Sequence, residues 1–159
     1  MWRHEDYCTH VNHPEDMDIL TRKVFDVNMR LYKTSNEYRA IVLKCAYYIR
    51  WNAQTEKEGY KKPHGFSGAN AGIPFNIIAT TDEVMINPKI ISSTGTREGL
   101  SNCGSLTLSK PIKIRRHSNI TVEYFNLAGV LQTITGYLPT VQHEIEHNLG
   151  VLITDREVK

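Results

Sequence analysis

Between residues 35 and 52 the apolar positions fall at Tyr38, Ile41, Val42, Cys45 and Ile49. That spacing gathers them on one face of a helix. Thr34, with Glu37 three positions later, has the form of a capping box at its start. Cys45 lies on the apolar face, where a thiol behaves as a small core residue. Upstream, residues 1–33 are turn-prone and charged apart from a short amphipathic stretch at Ile19, Leu20, Val24, Phe25 and Val27. This reads as an irregular N-terminal arm packed on the domain. Residues 54–62 form a charged connection in which Lys61-Lys62 is a solvated edge, and 65–74 is a small-residue loop. After it the pattern shortens to β-like segments at 76–79, 84–87, 89–91, 106–108, 112–114, 120–124 and 130–134. Ile120, Val122 and Tyr124 alternate with Thr121 and Glu123, as in a strand with one wet face. Asn87-Pro88, Thr94-Gly95 and Ala128-Gly129 read as turns between segments. A last helix is expected from Leu138 to Asn148, with Pro139 in its first turn and Gly150 as its stop. The order predicts an α+β fold: antiparallel strands packed around a C-terminal helix, with an N-terminal helix.

Composition narrows the class. The chain has 159 residues, 40% hydrophobic and 23% charged, which suits a single globular domain over 1–159 with a core that needs no staples. A formal charge of +2 gives no electrostatic reason to expect nucleic acid or an anionic membrane as partner. Three scattered cysteines (Cys8, Cys45, Cys103) make no disulfide scaffold and point to a reducing compartment. Met1 to His10 lacks the pattern of a signal peptide, and no apolar run approaches the ~20 residues of a membrane helix. The expectation is a soluble cytoplasmic protein.

The candidate chemistry lies in His143-Glu144-Ile145-Glu146-His147. Histidines at i and i+4 on the last helix can both reach one metal ion, with Glu144 beside them to take a proton from bound water. Two surface histidines on one helix would give the same pattern. A metal needs a third ligand, and only twelve residues follow His147, with Asp155 and Glu157 as acidic candidates. Upstream, Cys103 would complete a Cys/His/His set with one position open, as a catalytic site requires. His4, His10, His13 and His117 sit in polar sequence and read as solvated. Arg116 reads as a surface arginine.

The run from Gln142 to Arg156 (QHEIEHNLGVLITDR) resembles the third motif of peptide deformylases, QHExDHLxGxLxxDR. Gly65 to Pro74 (GFSGANAGIP) resembles that family's GLAAxQxGxP stretch. Ile86-Asn87-Pro88, followed by the block around Cys103, resembles its INP segment and EGCLS motif. The resemblance spans roughly 60–156 and implies Cys103, His143 and His147 as metal ligands, with Glu144 as general acid and base. It implies ferrous iron as cofactor, with zinc or nickel as substitutes, and hydrolysis of N-formylmethionyl peptides to formate. The ribosome exit region is the implied docking partner. As oxyanion donors it implies the Gly104 backbone N–H and Asn70, which stands where the family has glutamine. Gly65 is implied to pair its backbone with substrate. Phe66 and the first turn of the motif helix are the walls named for the methionine pocket, and His64 borders the same loop. The chain departs from the pattern at Pro63, Ser67, Gly68, Ser101, Asn102 and Gly104. Matching Glu98-Gly99-Leu100-Ser101 to the second motif instead would leave it without a cysteine, so the register on Cys103 is preferred. The short tail suits a compact member, of viral or organellar source. Two other readings stand beside this one: an inactive deformylase-like peptide-binding protein and a small HExxH metallopeptidase.

Overall fold

The computed structural model describes residues 21, 23–55, 65–101, 103 and 110–159. Several sequence readings lie outside them: the arm before Thr21 with Cys8 and three of the histidines, the 61–64 stretch with His64, Asn102, Gly104, and the strand expected at 106–108. Phe25 makes an isolated parallel bridge to Phe75, and helix α1, Met29–Thr34, follows, which Asn28 caps by accepting from the Leu31 N–H at 3.1 Å. Helix α2, Asn36–Gln54, follows after one residue. Its cap is Ser35, whose hydroxyl accepts from Tyr38 N–H at 3.2 Å. The expected cap, Thr34, belongs to the last turn of α1 instead, where its hydroxyl donates to the Arg30 carbonyl at 2.8 Å.

Seven strands are described, β1 (Gly65–Ser67), β2 (Ile77–Thr80), β3 (Val84–Thr94), β4 (Arg97–Ser101), β5 (Ile112–Arg116), β6 (Asn119–Phe125) and β7 (Leu131–Gly136). Five form one antiparallel sheet in the order β1-β2-β3-β6-β7, and β4 pairs with β5 in a separate ladder. Helix α3, Pro139–Asn148, starts with Pro139 inside its first turn and ends before Gly150 at φ 78°. A 3₁₀ turn at Ile153–Arg156 follows. Gly95 and Gly129 have φ of 65° and 77°, the left-handed geometry expected of turns at those positions.

The two faces of the large sheet bury different helices. Ile77, Ala79, Val84 and Ile86 pack with Val42, Ala46 and Ile49 of α2. Ile78, Met85, Ile120, Val122 and Tyr124 pack with Val141 and Ile145 of α3. Alternation within β2 makes this division, since neighbours along a strand face opposite ways. Cys45 lies in the first cluster as a buried thiol.

Two sequence readings change here. Asn87-Pro88 makes no chain reversal: β3 runs through it with a register shift between Ile86 and Lys89 and Asn87 at φ 53°. This is a bulge, which admits the residue that cannot donate to the ladder. The Asn87 carboxamide accepts from Val27 N–H at 2.7 Å and donates to Val27 C=O at 2.8 Å, tying the N-terminal segment to the sheet. Residues 65–67, read as loop, are the edge strand β1.

Candidate active site

Helix α3 lies against β1 and β2 because its Val141 and Ile145 are apolar while His143, Glu144 and His147 occupy another side of the helix. His143 and His147 are four residues apart, and their rings meet edge to face at 4.6 Å between centroids. Their Nε2 atoms are 3.1 Å apart, and Cys103 Sγ lies 3.3 Å from His147 Nε2. All three donor atoms fall within 4.8 Å of one another. A tetrahedral ion with M–N of ~2.1 Å and M–S of ~2.3 Å needs its ligand atoms about 3.4–3.6 Å apart. Cys103 lies two residues past the end of β4 and reaches the histidines from beside the small ladder, where it packs with Ile114 of β5 and Ile153.

The electrostatics suit a cation. Burial, then the neighbouring His147 and the Arg116 guanidinium, hold the His143 imidazole well below its ordinary pKa. Burial, with Arg116 again, pulls His147 down to about 4. Both rings are therefore neutral near pH 7 and offer lone pairs, as metal ligation requires. One thiol and two imidazoles form a donor set for a borderline metal such as zinc or iron.

Glu144 sits beside this group, with Oε1 4.0 Å from His143 Nε2. Burial pushes its carboxyl up to about 8, against Arg116 and the Ser67 hydroxyl, which favour the charged form. Its Oε2 is buried with no hydrogen-bond partner among the described residues. A buried carboxylate oxygen left unpaired is costly in a purely structural role, so this atom fits a group that handles a proton. Gly65 makes room for it. A Cβ at that position would lie 2.6 Å from Thr140 Cγ2 and 2.8 Å from Glu144 Oε1.

The other expected residues divide. Asn70 is buried in the loop after β1, and its Oδ1 accepts from the Ser67 N–H at 3.2 Å and hydroxyl at 2.6 Å. Phe66 does not line the cleft. It is 6% exposed and packs in the core under α2, because alternation along β1 turns it away from Gly65 and Ser67. Thr140 and Pro139, in the first turn of α3, do line a cavity of about 430 Å³ together with His143 and Glu144. Its opposite wall is β4, from Arg97 to Ser101. The cleft thus lies between β1, an edge of the large sheet, and β4, which has one paired edge.

Two residues outside the expected site support the motif helix. Arg116 is no surface residue: its side chain is 9% exposed, and Nη2 donates to His143 Nδ1 at 2.9 Å and to Glu146 Oε2 at 3.2 Å. Arginine can only donate, so the contact to Nδ1 puts the proton of a neutral His143 ring on Nε2, and a cation on Nε2 would require that proton to move to Nδ1 and the contact to give way. Asn148 Oδ1 accepts from Ala69 N–H at 3.0 Å, while its Nδ2 donates to Asn76 Oδ1 and Ile77 C=O, each at 3.1 Å. It locks the helix end to the loop and to β2. A signal for Arg116 existed in its place two residues beyond Ile114 in a strand, on the same face. For Asn148 there was a polar residue in an otherwise buried turn.

Comparison with known proteins carries these observations to a family. A peptide deformylase of Streptococcus thermophilus is 38% identical over 80 residues, covering 46% of this chain and 39% of that relative. The match thus spans about two fifths of the curated relative's length. A solved Plasmodium falciparum peptide deformylase complexed with inhibitor superposes with a TM-score of 0.70 at 21% identity, covering 95% of this chain and 88% of that one. A Synechococcus elongatus peptide deformylase in complex with actinonin gives 0.71 at 21% identity, covering 96% and 78%. These structures share the mixed fold of helices and antiparallel sheet. The sequence profile described as Polypeptide deformylase matches residues 30–159. Since that match takes in both long helices, both sheets and the cysteine between them, the chain belongs to the polypeptide deformylase family.

Proposed function

We propose that the chain is a single catalytic domain that hydrolyses the formamide of N-formylmethionyl peptides. One bond breaks, between the formyl carbon and the methionine nitrogen, and water supplies the atoms that complete formate and the free amine. The observation that carries this reading is the meeting of Cys103, His143 and His147 within 4.8 Å, with the Glu144 carboxyl beside them.

Cys103 Sγ and the two Nε2 atoms would hold one divalent cation, ferrous iron by family likeness, with zinc or nickel as substitutes. Such a cation, when bound, polarises a carbonyl and lowers the pKa of water from ~16 towards ~7. Glu144 takes a proton from the attacking water and delivers it to the departing nitrogen. A carboxyl that burial holds at about 8 before any cation is bound is poised for such exchange near neutral pH. Arg116, anchored on Glu146 at 3.2 Å, would release Nδ1 when His143 ligates through Nε2, since Nδ1 must then carry the ring proton. The Gly104 N–H and the Asn70 amide nitrogen serve as donors to the developing oxyanion. With the Asn70 oxygen held by Ser67, the donor end lies on the other side of that carboxamide. Gly65, on an edge strand, and the facing β4 give backbone groups along which an extended peptide can lie. The methionine side chain would use the first turn of α3, at Pro139 and Thr140.

The substrates are nascent chains in the cytoplasm, and the ribosome exit region is where they would be met. No helix among the described residues is long and apolar enough to cross a membrane. Chelation tests the metal requirement. Formate release from formyl-Met-Ala-Ser should stop when the protein is stripped of metal and return on anaerobic addition of one equivalent of ferrous iron. Formate release that survives complete metal removal would exclude this mechanism.

A further inference from the structure

The β4–β5 ladder carries an arrangement that the reaction chemistry does not use. Arg97 and Arg116 are direct cross-strand partners, and both line the cleft. Like charges directly opposite each other weaken a ladder unless something compensates them. Arg116 is compensated by Glu146 at 3.2 Å. Arg97 is not: its guanidinium stacks over the Tyr137 ring at 4.1 Å, and it has no carboxylate partner among the described residues. The neighbouring Glu98 does not serve, because Lys113 and Arg115 hold its two oxygens at 2.8 and 2.6 Å. The remaining charged groups of the wall are Glu144, at the reacting end, and Arg116.

We infer that Arg97, held flat by Tyr137 at the mouth of the cleft, selects peptides with a carboxylate side chain at the third residue, counting the formylated methionine as the first. This deepens the deformylase reading and rests on it. The position follows from lengths. His143 stands four residues after Pro139 on α3, about 6 Å along the axis, and Tyr137 lies two residues before the helix. An extended peptide advances ~3.3 Å per residue, so its third residue lies about 9–10 Å from the formyl carbon, level with Tyr137 and the guanidinium above it. The planar head of arginine suits a carboxylate in two-point contact, and stacking leaves its N–H edge available for that.

The test compares formyl-Met-Ala-Glu-amide, formyl-Met-Ala-Gln-amide and formyl-Met-Ala-Lys-amide on the iron-loaded full chain, by formate release. Amidation removes the terminal carboxylate, so only the side chain differs. The glutamate peptide should have a kcat/KM ~2- to 5-fold above the glutamine peptide, as befits an exposed pair, with the difference carried in KM. The lysine peptide should fall below both. At ~1 M salt the preference should disappear. Arg97→Gln should bring the glutamate-to-glutamine ratio to about 1, and Arg97→Glu should invert it. Equal kcat/KM for the three peptides on the native chain, or a glutamate preference that survives Arg97→Gln, would overturn the inference while leaving deformylation intact. The same peptides titrated calorimetrically onto metal-loaded Glu144→Gln protein report selection without turnover. If the native chain releases no formate, a glutamate preference in that titration still upholds the role of Arg97 though the deformylase reading has failed, and no preference overturns it.

Discussion

Glu144 gives the site its most direct physical signature. Its carboxyl is raised by burial from an ordinary 4.5 to about 8 in the metal-free chain. The folded state therefore keeps a proton that the unfolded chain loses above pH 4.5. Stability falls as pH rises through that window, because the unfolded state then binds fewer protons than the native one. Glu144→Gln removes the ionisation, so metal-free variant protein should be more stable than the parent at pH 8, on the order of a few kcal/mol. At pH 4 the two should unfold alike. Thermal denaturation at the two pH values checks this, and equal stability at pH 8 would show that the carboxyl is not held neutral. Gly65 gives a second residue-scale expectation. A Cβ there would meet Thr140 and Glu144 at 2.6 and 2.8 Å, so Gly65→Ala must displace α3 or the carboxyl. We expect a loss of about 1–3 kcal/mol in stability together with a loss of turnover, read by denaturation and formate release on the same sample.

At the scale of elements, α3 is held by Arg116 through His143 and Glu146, in its middle and last turn, and by Asn148 at its end. Asn148→Ala would strand the Ala69 N–H in a buried place, while the Ile77 carbonyl keeps the Gly68 N–H at 2.9 Å. It should cost about 1–3 kcal/mol and weaken metal retention, measurable by chemical denaturation and by metal content after dialysis. How far such elements could be read from the chain depended on where their partners lay. Helix α3 was legible because its start, period and stop are all local: Pro139, the His143–His147 spacing and Gly150. Helix α2 was legible from Tyr38 to Ile49, while its cap was misread by one residue because Thr34 and Ser35 are chemically alike and α1 competes for the first. Strand β4 was not legible, since Arg97-Glu98-Gly99-Leu100-Ser101 alternates no apolar face and is stabilised by ion pairs to β5. Asn87-Pro88 has the composition of a turn, and only the pairing of β3 with β6 turns it into a bulge. Phe66 was placed on the wrong side because a small-residue stretch hides the strand period that decides its direction. Arg116 was misjudged because its strand was expected to end at Ile114, two residues short of it, and because its partner His143 is distant in sequence.

Over the whole molecule, a five-stranded sheet separates two helices, and the small ladder closes over the motif-helix side. The result brings a cysteine from just past the end of β4 to two histidines from a helix packed on the large sheet. That convergence was legible as a likeness of motifs in their order along the chain, and the profile match over residues 30–159 covers the same elements. The central claim is that Cys103, His143 and His147 hold the cation while Glu144 moves the proton, so the two roles should separate in one experiment. Anaerobically iron-loaded native protein and Glu144→Gln protein are compared for bound metal and for formate released from a formyl-methionyl tripeptide. We predict one metal per chain in both, with turnover in the native protein and a rate lower by ~10²–10⁴-fold in the variant. Native protein that holds one metal per chain and releases no formate would contradict the account, and the chain would then be a metal-binding relative that binds peptides without cleaving them.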